Sequence, residues 1–90
     1  MNTLFITYTL EDYDDTYKKI SKQLKSYSNW AKLFQRAWII QTTKSTRQVR
    51  DELAEVIENK GKIVIINITN SGWATYKISS EITKWMKENI

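Results

Sequence analysis

The residues here that could do chemistry fall into two sets. One is a cationic block. Residues 16 to 50 hold nine bases (Lys18, Lys19, Lys22, Lys25, Lys32, Arg36, Lys44, Arg47 and Arg50) and no acid. The other is acidic: Glu11, Asp12, Asp14 and Asp15 lie between Thr9 and the first base, and Asp51, Glu52, Glu55 and Glu58 follow the last. Lysine and arginine bind phosphate, and clustered carboxylates suit Mg²⁺. Histidine and cysteine are absent, which removes imidazole and thiolate catalysis and the usual zinc ligands. With two glycines, Gly61 and Gly72, no glycine-rich loop can cradle a nucleotide. The residues therefore nominate no catalytic group, no metal ligand and no cofactor. They nominate an anion-binding surface instead.

The acids before the cationic block have an ordinary structural use. Asp12 reads as an N-cap, and acids in a first turn suit the helix dipole. Arg47 and Arg50 near the start of a second helix and Glu55 and Glu58 near its end oppose that dipole, so local stability does not account for them. Four tryptophans and five tyrosines add surfaces on which bases could stack. Trp38 and Trp85 read as core. Trp30 and Trp73 border loops and are the candidates for stacking.

Ninety residues make a single domain. Residues 3–9 are β-branched and aromatic and read as a strand. Tyr17, Ile20, Leu24 and Tyr27 recur at helical steps, which predicts a helix over about 14–28 with Lys18, Lys22 and Lys25 on another face. Residues 30–34 and 37–42 read as two short strands with a tight turn near Gln35, or as one kinked strand. Ser45 and Gln48 form a capping box. The helix they open carries Val49, Leu53, Val56 and Ile57 and closes at Gly61 as its C′ residue. Residues 62–69 read as a strand apolar on both faces in its first half, expected to be central or covered twice. After a turn at Asn70-Ser71-Gly72, Ile78, Ile82, Trp85 and Met86 mark a last amphipathic helix.

The order β-α-β-β-α-β-α points to an α+β domain over residues 1–90. The expected form is a ferredoxin-like βαββαβ fold: a four-stranded antiparallel sheet, two helices on one face, and a C-terminal helix. Antiparallel helices bring Lys22, Lys25, Lys44, Arg47 and Arg50 to one pole, the expected nucleic-acid-binding surface. No apolar run is long enough to span a membrane, and no charged-then-apolar leader opens the chain, so a cytoplasmic domain is expected.

Several of these residues also align with a known pattern. The opening Leu4-Phe5-Ile6-Thr7-Tyr8-Thr9-Leu10, Asp12-Tyr13 leading to Tyr17 and Ile20, Trp30, Trp38, the strand 62–68, Gly72-Trp73 and Trp85-Met86 together resemble small Cas-two-like proteins, often labelled SinR-family. The resemblance implies a ferredoxin-like fold, a homodimer, and nucleic-acid binding in a setting of bacterial or phage defence. Some CRISPR-associated relatives are metal-dependent nucleases, whose metal-holding aspartate follows the tyrosine that ends the first strand. Thr9 stands there in this chain, and a neutral hydroxyl is a poor ligand for a hard cation. The resulting expectation is a dimer that binds RNA or DNA without cutting it. Two alternatives stand beside it: a protein–protein interaction module of a defence or anti-defence system, and a Mg²⁺-dependent nuclease using the acids after Thr9.

Overall fold

The computed structural model describes residues 1–11 and 13–90, with the backbone alone at Tyr13. The expected N-cap Asp12 therefore lies outside the described residues. The described residues form a small α+β domain of four strands and three helices: β1 (Asn2–Leu10), α1 (Tyr13–Lys25), β2 (Asn29–Phe34), β3 (Ala37–Thr42), α2 (Thr46–Ile57), β4 (Gly61–Asn67) and α3 (Ser80–Asn89). The strands form one sheet in the order β2-β3-β1-β4, and every neighbouring pair is antiparallel.

The core follows from strand alternation. Leu4, Ile6 and Tyr8 of β1 and Trp38 and Ile40 of β3 point to one side. There they meet Ile20 and Leu24 of α1, Tyr27 just beyond it, and Val49, Leu53 and Ile57 of α2. Burying each large apolar side chain contributes roughly 1.5–3 kcal/mol. Trp38 is fully buried, and its one polar group is satisfied: Nε1–H donates to the Tyr8 hydroxyl at 3.2 Å. The alternate residues of the strands, Phe5 and Ile39 among them, face the other side, where they line a cavity with Met86 and Ile90 of the α3 segment. Side-chain amides anchor α3 there. Asn29 Nδ2 donates to Asn89 Oδ1 at 2.9 Å, and Gln41 Nε2 donates to the Asn89 carbonyl at 2.8 Å.

The tight turn at Gln35 separates β2 from β3, so the pair is a hairpin and not one kinked strand, with a register shift between Lys32 and Phe34. The capping box at Ser45 and Gln48 is complete. Three expectations are corrected. The first helix ends at Lys25, not near 28, and Tyr27 reaches the core from a turn whose amide donates to the Leu24 carbonyl at 3.4 Å. The second helix ends at Glu58, in the left-handed region at φ 53°, followed by Asn59 at φ 66°. Gly61 is therefore no helix cap. It pairs with Leu10, so close to β1 that a Cβ would stand 2.1 Å from the Thr9 carbonyl oxygen. Finally, the last strand is an edge strand and is not covered twice. Ile63 and Ile65 pack against the core, but Val64 and Ile66 are 53% and 51% exposed.

Candidate nucleic-acid interface

Lys18, Lys22 and Lys25 recur at i, i+4 and i+7 and so form one stripe along α1. With Tyr17, Ser21 and Ser26 they line an open groove of about 470 Å³. The neighbouring edge strand β2 completes this flank. Its alternation turns Trp30 and Lys32 toward α1, because they pair with Ile40 and Trp38 of the core-facing row. Lys32 Nζ donates a hydrogen bond to the Tyr17 hydroxyl and lies 4.8 Å from the centre of that ring. The ammonium of Lys25 lies 5.4 Å from the centre of the Trp30 ring, a cation–π approach. Trp30 leans on Trp38 with centroids 5.7 Å apart and planes tilted by 48°, and it remains 38% exposed.

The groove is lined only by cations and uncharged polar or aromatic side chains. The hydrogen bond from Lys32 holds the Tyr17 hydroxyl below the usual tyrosine pKa, against the opposing effect of burial; the charges of Lys32 and Lys25 act in the same sense. Among the described residues, Lys18, Lys22, Lys25 and Lys32 form no ion pair with an acid. Their positive charge is left for solvent or for an anion.

The other cations named from the sequence stand elsewhere. Arg47 and Arg50 line a separate groove of about 290 Å³ with Thr46 of α2 and Ile63 and Ile65 of β4, on the opposite flank of the helix pair. Arg50 is engaged by its neighbour, donating from Nη2 to Asp51 Oδ1 at 2.8 Å. Lys44 is bonded to the Glu52 carboxylate. Between the two flanks runs the α1–α2 seam, where Gln23, Glu52, Val56, Glu55 and Glu58 line an acidic groove. The five cations expected at one pole are thus divided: Lys22 and Lys25 toward β2, Arg47 and Arg50 toward β4, and Lys44 tied at the seam. The reason is helical geometry, since residues at the adjoining ends of two helices still point around each helix by 100° per residue.

The two loop-bordering tryptophans are also separated. Trp30 stands on the α1 side, whereas Trp73 is half-buried on the other side, lining an apolar cavity of about 250 Å³ with Phe5, Leu33, Ile39, Ile68 and Met86. One ligand cannot use both. Trp38 is core, as expected; Trp85 is half-buried and donates from Nε1 to Asn29 Oδ1 at 3.3 Å. Lys32 was not among the expected binding residues. Its signal was the two-residue step from Trp30 to Lys32 beside a lysine-bearing helix, which becomes informative only with the register of β2 against β3.

Thr9 is exposed and pairs with Lys62 of β4. Among the described residues, no three acidic side chains converge on a point where a cation could sit, and Asp12 lies outside them. No helix among the described residues is long and apolar enough to cross a membrane. No family model, curated protein or solved structure matches the chain.

Proposed function

We propose that this chain is a Cas-two-like, ferredoxin-like homodimer that binds nucleic acid without cutting it. The observation that carries the reading is the α1–β2 flank: four lysines that, among the described residues, have no acidic partner, beside an exposed tryptophan. Phosphate contacts of this kind supply sequence-independent affinity through release of counterions. The strand order β2-β3-β1-β4 and the shared core of α1, α2 and the sheet support the ferredoxin-like part. Thr9 in place of an aspartate and the absence of histidine support binding without cleavage.

Anisotropy of labelled 15-nucleotide RNA and DNA across a salt series tests it. Replacing Lys22 and Lys25 by Glu should weaken binding and flatten the slope of log K against log salt by about 1.4–1.8, since each lost phosphate contact removes roughly 0.7–0.9. Reversing Arg47 and Arg50 to Glu reports on the other flank and should do less, because Arg50 is already paired. RNA and DNA should stay intact with Mg²⁺ or Mn²⁺. Cleavage that disappears on replacing Asp14 and Asp15 by Ala would make the nuclease alternative right.

A second reading, a protein-interaction module, rests on the exposed apolar side chains Val64 and Ile66. It takes over if neither charge reversal changes nucleic-acid affinity.

A further inference from the structure

We infer that the α1–β2 flank selects single-stranded nucleic acid, with phosphates on the row Lys18, Lys22 and Lys25 and one base stacked on Trp30. This rests on the nucleic-acid reading above and names the form of the ligand. Three observations carry it. The first is the linear order of the groups. The lysine row advances about 10 Å along the helix axis at 1.5 Å per residue. A stacked strand rises about 3.4 Å per nucleotide, so the row spans roughly three nucleotide steps of one strand. At its far end Lys25 reaches over the Trp30 ring, 5.4 Å from the centroid, so cation row and aromatic face are contiguous.

The second observation is the ring itself. Trp30 is held from beneath by Trp38, at 5.7 Å and 48°, while 38% of the residue stays open to solvent. An indole that leans on a buried neighbour and keeps part of its surface exposed, with the Lys25 ammonium over the ring, is a platform for an unstacked base, which a duplex keeps paired and stacked inside. The third is the place of Lys25. Its ammonium lies over the ring and, among the described residues, is tied to no carboxylate. An arriving base displaces it onto the phosphate beside that base, so the cation stays within reach of a negative group.

The test compares four probes with the full chain at fixed low salt: an eight-nucleotide oligo-dT, the matching oligo-U, an abasic strand of the same length, and a blunt duplex. The two single strands should bind at least about fivefold tighter than the abasic strand, the span that one base–aromatic stack commands, and tighter than the duplex. Trp30→Leu should lose at least about fivefold on oligo-dT or oligo-U and nothing on the abasic strand. Trp30→Phe should keep most of the affinity, and thermal melts of both variants establish that they are folded. The ratio of oligo-dT to oligo-U binding tells DNA from RNA, and a ratio near one means that the site does not read the 2′-hydroxyl. Equal binding of the abasic strand or the duplex overturns the inference, as does unchanged oligo-dT and oligo-U affinity in a folded Trp30→Leu variant, while the broader nucleic-acid reading survives. Absence of binding to all four probes overturns both.

Discussion

Tyr17 and Tyr27 carry the same phenol into opposite surroundings. Tyr27 is pushed well above the ordinary value, first by burial and then by its bond to Glu52, to which its hydroxyl donates at 2.6 Å. Tyr17 is held low by the hydrogen bond from Lys32. The consequences for stability have opposite signs. The fold prefers protonated Tyr27, so that contribution is full below about pH 10, where the unfolded phenol still holds its proton, and is lost as pH climbs from there toward the raised folded value. The fold prefers ionised Tyr17, so its contribution appears only as pH rises through the lowered folded value. Absorbance at 295 nm should show Tyr17 ionising before an ordinary tyrosine, and Tyr27 ionising only as the chain unfolds. Tyr27→Phe should cost about 1 kcal/mol near neutrality, from the lost hydrogen bond. It should also flatten the alkaline loss of stability in urea titrations. An identical alkaline loss in parent and variant would place the sensitive group elsewhere.

At the scale of elements, the ends of α2 decide how β4 joins the sheet. The α2 helix closes at Glu58 and Asn59, both at positive φ, and Gly61 then enters β4 against the Thr9 carbonyl. A left-handed conformation costs a residue with a side chain roughly 1–2 kcal/mol, part of which glycine returns as chain entropy. Glu58→Gly is therefore expected to stabilise the protein by about 0.5–1 kcal/mol. Gly61→Ala is expected to do the reverse. Its methyl group meets a backbone oxygen that can move only by separating β1 from β4, so a loss of about 3 kcal/mol is expected, the upper end of the range for overpacking. Chemical denaturation of the two single variants checks both, and a neutral Gly61→Ala would mean that the β1–β4 approach is looser than 2.1 Å implies. Ser45 is the third point of control: the loss of its capping box in Ser45→Ala should cost about 1 kcal/mol.

At the scale of the whole molecule, the sheet side away from α1 and α2 is half covered. The α3 helix serves the β2–β3 half through Met86 and the amides of Asn29 and Gln41. On the β1–β4 half, Val64 and Ile66 stay exposed. The proposed homodimer closes this half. Sedimentation at micromolar concentration should give twice the chain mass of 10.7 kDa. Small-angle scattering should give a radius of gyration above the 12.8 Å of one chain. Replacing Val64 and Ile66 by Lys should return the mass to 10.7 kDa, leave the far-ultraviolet circular dichroism of a folded chain, and remove any dependence of the melting temperature on protein concentration. A mass of 10.7 kDa at every concentration removes the dimer. It leaves the lysine row untouched, since that row lies on the other side of the sheet.

Local and periodic features were legible in the sequence because their causes are local. The step from Ile20 to Leu24, the Ser45–Gln48 box, and the apolar alternation of the strands each state an element and its buried side without reference to the rest of the chain, whereas Tyr17 turns to the lysine groove and Tyr27 lies beyond the helix. Trp38 as core and Lys18, Lys22 and Lys25 as one stripe followed in the same way. What lay outside reach were relations between elements. The apolar run Ile63 to Ile66 records two greasy faces but not its neighbours, so its edge position came only from the strand order. Gly61 looks like a helix cap in one dimension, and its close approach to Thr9 exists only once β4 lies against β1. The cations that seemed bound for one pole were parted by the rotation of two packed helices, and Lys32 joined the row through the register of β2 on β3. Residue types and spacing determined which groups are available; pairing and packing, which act between residues far apart in the chain, decided which of them meet.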